Sequence, residues 1–183
     1  TDKNGYFIDK TPYIEKLESV ENPVFLRPRR FGKSLWCRIL ECYYNIRQKD
    51  DFGRLFGHTW IGKNPTPLRN SFFVLHLDFS IVDPTGDIAN IEKSFDLVCN
   101  LKMKTMLGLS KSWFQGNPAI DIKEEASGNL HKILDHIREN SLPALYVIID
   151  EYDNFANQLI VAHKDHLYRE LTRDDSFLKT FFK

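Results

Sequence analysis

Val24-Phe25-Leu26-Arg27-Pro28-Arg29-Arg30-Phe31-Gly32-Lys33-Ser34 is a short apolar run delivered into an arginine-rich turn that ends in Gly-Lys-Ser and opens an amphipathic segment. A strand, a tight turn and a helix start, in that order, aim several backbone N–H groups at one spot where a polyphosphate can sit. Lys33 adds a point charge for the β and γ phosphates, and the Ser34 hydroxyl holds Mg2+. Arg29, Arg30, Phe31, Gly32, Lys33, Ser34 and Leu35 are therefore the candidate nucleotide-binding residues, the two guanidinium groups flanking the phosphate charge. The general phosphate-loop pattern also carries a glycine five residues before Gly32. Here that position is Arg27, and Pro28 behind it has no N–H to give. The left half of the loop departs from the pattern, so a second element is needed.

Leu145-Tyr146-Val147-Ile148-Ile149-Asp150-Glu151 supplies it. This is the apolar run of a strand buried on both faces, ending in two carboxylates. In phosphate-loop ATPases the first carboxylate holds the Mg2+ shell and the second polarises the attacking water, which makes Asp150 a metal residue with Ser34, and Glu151 a catalytic one with Lys33.

The rest of the chain alternates strands with helices. Thr11 as N-cap and Pro12 at the first helical position start a helix that runs to about Ser19. Val24 to Leu26 reads as the first strand, and the spacing of Leu35, Trp36, Ile39, Leu40, Tyr43 and Tyr44 predicts a helix from Lys33 to about Gln48. Lys49 to Asn70 reads as a connection with short helical pieces anchored by Phe52, Leu55, Phe56, Trp60 and Ile61. Phe72 to Phe79 is a strand. A long helix starts at Asp83-Pro84 or Thr85, with Ile88, Ile91, Phe95, Val98 and Leu101 as its stripe. After an irregular part anchored by Trp113 and Phe114, Asn129 to Asn140 is a helix, 145–150 a strand, and about Phe155 to Phe182 helical pieces. The pattern is that of a parallel sheet covered on both sides.

Composition sets limits. The chain has 183 residues, 42% of them apolar, and balanced charge, 25 basic against 25 acidic residues. That is one domain with ample core and no bias toward polyanions, so the sequence carries no direct nucleic-acid signal, and the local basic cluster suits a small anion. Three cysteines imply no disulfide framework, and no apolar run approaches the roughly 20 residues that span a bilayer. The expected setting is the reducing cytoplasm.

Tyr6-Phe7-Ile8-Asp9-Lys10-Thr11, Arg27-Pro28-Arg29-Arg30-Phe31-Gly32-Lys33-Ser34 and Ile149-Asp150-Glu151-Tyr152-Asp153 together resemble the predicted AAA-ATPase-like family, whose members are often fused to a C-terminal nuclease domain of the PD-(D/E)xK type. The family's own phosphate loop carries arginine and proline where other loops carry glycine. The resemblance implies a phosphate-loop NTPase fold, three-layer α/β/α with a mostly parallel sheet, ATP bound at Gly32, Lys33 and Ser34, and Asp150 and Glu151 as the Mg2+ and catalytic carboxylates. It also implies that 1–183 is the N-terminal part of a single such domain, stopping before a sensor strand that inserts between 24–26 and 145–150. Self-association, or a nuclease-like effector domain in the parent protein, is then the expected partnership.

Two other readings stand beside an ATP-hydrolysing module. One is a nucleotide-binding scaffold without turnover, against which Glu151 argues. The other is a nuclease, which rests on Asp121-Ile122-Lys123 alone, with no clear strand before it and no acidic partner at suitable spacing. Asp78 is either a neighbour of the metal or a cap in the following turn. Tyr6, Lys10 and Tyr13 either contact adenine or simply pack.

Overall fold

A computed structural model describes residues 7–26, 31–116, 118–151 and 181. The chain divides into two compact units, Thr1–Phe72 and Phe73–Lys183.

The first unit is helical in its described residues. Helix α1 spans Tyr13–Leu17, α2 Lys33–Tyr44, α3 Phe52–Phe56 and α4 Trp60–Lys63. Thr11 is not the cap of α1, whose N-cap is Pro12 without a side-chain bond. Its hydroxyl instead accepts from the Ile61 amide at 3.1 Å, and the Asp9 carboxylate accepts from the amides of Thr11 at 2.9 Å and Trp60 at 2.7 Å. The third amide of α4, that of Gly62, is held by Thr59 Oγ1. A four-residue helix is too short to persist on its own, so α4 exists because Asp9, Thr11 and Thr59 satisfy its first turn.

Helix α2 stops four residues earlier than its periodicity predicts. Asn45 leaves the helix at ψ 119°, its side chain accepts from the Arg47 amide to open a 3-10 turn over Ile46–Gln48, and the backbone at 44–46 bonds to Phe72 instead. The buried face of α2, Trp36, Leu40, Tyr43 and Tyr44, is the one expected. Tyr43 packs edge-on against Phe56, and both hydroxyls of the Tyr43-Tyr44 pair are satisfied, Tyr43 by Thr66 and Tyr44 by the Glu18 carboxylate that Thr66 also reaches. Such aromatic pairs contribute about 0.5–1.5 kcal/mol beyond their buried area.

Two expectations fail here. Residues 24–26 are not a strand: Val24 and Leu26 are more than 70% exposed, and Phe25 turns to stack on Trp36 at 6.2 Å. A strand is defined by its ladder partners, and the apolar run has none among the described residues. Trp60 is not an anchor either, since its ring is exposed while Ile61 is fully buried.

The second unit is α/β. Strands β1, Phe73–Asp78, and β2, Leu145–Asp150, pair in parallel, in register from Phe73↔Leu145 to Asp78↔Asp150. Parallel strands need a long crossover, and helices α5, Ile88–Leu109, and α6, Ala126–Glu139, lie within it. Helix α5 begins after the predicted start because Gly86, at φ +86°, breaks the turn and Asp87 caps it by accepting from the Asn90 amide. Its buried stripe holds Ile91, Phe95 and Val98 as expected, then shifts to Cys99, Met103 and Leu107, while Leu101 is exposed. Three-residue steps precess backwards around a 3.6-residue helix, so by Leu101 the original stripe has rotated off the core.

Helix α6 starts at Ala126 rather than Asn129, because the Asp96 carboxylate on α5 accepts from the Ala126 amide at 2.9 Å. Burial pushes the Asp96 carboxyl above its ordinary range; the Ala126 amide opposes this and the Glu125 charge adds to it. One turn further along, fully buried Asn129 donates to Asn100 Oδ1 and to the Asp121 carbonyl, and Asn100 donates to the Glu124 carbonyl, fastening the 121–125 turn onto α5. Phe114 is buried against Phe73 and Trp113 lies beside it, as expected of the irregular part. The predicted helical pieces after Tyr152 lie outside the described residues apart from Phe181, which is helical and packs edge-on against Phe95. Contrary to expectation, β2 is not buried on both faces, Val147 being 40% exposed.

Candidate functional site

The candidate residues fall in both units. In the first, Arg29 and Arg30, like Tyr6, lie outside the described residues. Gly32 stands at the N-cap of the 12-residue helix α2 with φ 78° and ψ 28°. This left-handed conformation is one that a side chain resists, and it turns the chain sharply into the helix. Its carbonyl accepts from the Trp36 amide at 2.9 Å, closing the first helical bond. An α-helix leaves the amides of its first turn without intrahelical acceptors, and Gly32 at the N-cap has no side chain to offer them one. The amides of Ser34 and Leu35 thus head a helix whose dipole favours an anion there. Ser34, Leu35 and Phe31 are exposed and Lys33 is half-buried. A Cβ at Gly32 would meet nothing within 4 Å among the described residues. This donor set, amides with an ammonium and a hydroxyl, suits a phosphate and its cation.

In the second unit, Asp150 closes β2 and is 7% exposed, its Oδ1 accepting from the Glu151 amide at 3.0 Å. Glu151 follows at φ 52°, in the left-handed region. For a residue with a side chain this costs on the order of 1–2 kcal/mol. The left-handed residue ends the strand at Asp150. Asp78 is the register partner of Asp150, and its Oδ1 accepts from the Ser80 amide at 2.9 Å, capping the 3-10 turn Phe79–Ile81. The capping role is thus the one that Asp78 fills. Ligands of parallel α/β sheets bind at this carboxyl edge of the strands.

His76, read from the sequence only as a strand position, stands on the same face as Asp78 and Asp150. A ring nitrogen of His76 lies within 4.8 Å of a carboxylate oxygen of Asp150. Its signal was there: His76 and Asp78 alternate as polar positions in an otherwise apolar strand, so both must share one face.

Other candidates have structural work. Asp121 Oδ1 accepts from the Lys123 amide two residues on, a turn-forming use of the one carboxylate in the nuclease-like triplet. Tyr13 is exposed with the Lys16 ammonium over its ring at 5.5 Å. Among the described residues no helix is long and apolar enough to cross a membrane.

No curated protein and no solved structure matches the chain. The family model described as predicted AAA-ATPase matches residues 1–183, the whole length of the sequence, and the chain belongs to that family.

Proposed function

We propose that the chain is an ATP-binding, ATP-hydrolysing module, residues 1–183 belonging to one phosphate-loop domain of three-layer α/β/α type. The observation that carries the reading is the left-handed Gly32 turn heading α2, with Lys33 and Ser34 in the first helical turn. The amides of this turn hold phosphate oxygens, Lys33 neutralises their charge, and Arg29 and Arg30 flank them. Ser34 and Asp150 are the residues that hold Mg2+, which when bound withdraws charge from the phosphates. Glu151 takes the proton of the attacking water. Membership of a family of predicted ATPases supports the nucleotide class.

The test is calorimetric titration of Mg2+ and ATP into the chain and into Lys33→Ala. A charged hydrogen bond to phosphate contributes about 1.5–3 kcal/mol, so the variant is expected to bind at least ~10-fold more weakly. Equal affinity would remove the phosphate-loop reading.

A further inference from the structure

Side chains alternate along a strand, and register partners in a ladder share a face. The register of β1 and β2 thus puts His76 and Asp78 on the same face as Ile148 and Asp150. His76 is the diagonal neighbour of Asp150, with a ring nitrogen within 4.8 Å of its carboxylate. Two donor atoms held by one ion at about 2.1 Å each stand at most ~4.2 Å apart. From the 4.8 Å bound, at most ~0.6 Å remains to be closed for a linear pair and about 1.8 Å for donors at right angles, distances that side-chain rotation covers. Asp78, whose Oδ1 is committed to the Ser80 amide, adds negative charge at the same strand end.

We propose that His76 and Asp150 form a mixed nitrogen-oxygen pair that takes a first-row transition-metal dication, Mn2+ among them, in preference to Mg2+. Mg2+ asks for oxygen donors and gives up its waters reluctantly, whereas an imidazole raises the affinity of a site for transition metals. Both residues stand on paired strands rather than on loops, so the pair is held by the ladder itself. The inference rests on the reading of Asp150 as a cation-holding carboxylate; it does not require that ATP bind.

The experiment titrates Mn2+ into the full chain without nucleotide, following the loss of the free-ion signal by electron paramagnetic resonance, then displaces it with Mg2+. One Mn2+ is expected per chain, released only by a tenfold or larger excess of Mg2+. Binding is expected to weaken at least tenfold in His76→Ala and in Asp150→Asn. His76→Gln keeps the volume and offers an oxygen, and is expected to lose the preference for Mn2+ over Mg2+; a purely structural histidine would not move that ratio. No Mn2+ binding by the parent chain would overturn the proposal, as would equal binding by parent and His76→Ala, or displacement by equimolar Mg2+. Mn2+ binding through His76 in a chain that fails to bind ATP would uphold this site and sink the nucleotide reading alone.

Discussion

Thr11→Val replaces a buried hydroxyl by a methyl of the same shape, and the structure says where the loss will be felt. Thr11 is fully buried, and its Oγ1 accepts from the Ile61 amide at 3.1 Å across 50 residues of chain. Valine removes the acceptor while leaving the methyl packing intact. The Ile61 N–H is then stranded in a buried place, which costs about 1–3 kcal/mol, against a gain of up to about 0.8 kcal/mol for the added apolar group. The net loss is about 1–2 kcal/mol. For a chain of this size that lowers the melting midpoint by about 2–8 °C. Urea unfolding followed by tryptophan fluorescence measures the loss, and amide exchange places it: the Ile61 amide is expected to exchange about 5–30-fold faster. The Ile14 amide bonds to the backbone carbonyl of Thr11, which valine keeps, so it is expected to hold its protection as far as global stability allows. If Ile61 exchanges at the parental rate in Thr11→Val while Ile14 loses protection, Thr11 is a local helix cap after all and the long-range clamp is wrong.

Three further outcomes follow from particular residues. Gly32→Ala forces a side chain into φ 78° with nothing within 4 Å of the new Cβ among the described residues, so it is expected to cost roughly 1–2 kcal/mol of conformational strain with no steric clash; Gly32→Asn should lose less in the same urea titration. The Asp96 carboxyl is raised by burial, so the folded state holds its proton more tightly than the unfolded one, and its contribution to stability falls as pH rises through that raised value. Asp96→Asn keeps an acceptor for the Ala126 amide without the buried charge. It should match or exceed the parent chain in stability at pH 7, and the parent should close the gap as pH falls toward the ordinary carboxylate range; a variant clearly weaker at pH 7 would contradict this. Glu151→Gln preserves size and hydrogen bonding but removes the base, so it should retain ATP affinity while losing hydrolysis in single-turnover assays; parental turnover would reassign the base.

Periodicity alone located the two strands at 73–78 and 145–150 and the bodies of α2, α5 and α6. These signals are local: an apolar run ended by carboxylates, or a stripe at helical spacing, is dictated by which face must leave water. The Gly32-Lys33-Ser34 turn was legible for the same reason, since a left-handed residue followed by a helix start is written in neighbouring positions. Whatever depends on residues distant in sequence was not. The run 24–26 has strand composition but stands in no described ladder, and composition cannot supply one. Thr11 reads as a cap for the helix beside it, and Asp9 reads only as part of the Tyr6–Thr11 stretch. Both serve α4, because a buried amide accepts whichever acceptor the fold delivers. Helix α6 gained a turn because Asp96 reaches its first amide from another helix. The pairing of His76 with Asp150 depends on a parallel register set across a single long crossover that holds two helices. The alternation in each strand fixes its own two faces, but only the tertiary structure decides which residue of one strand stands beside which residue of the other.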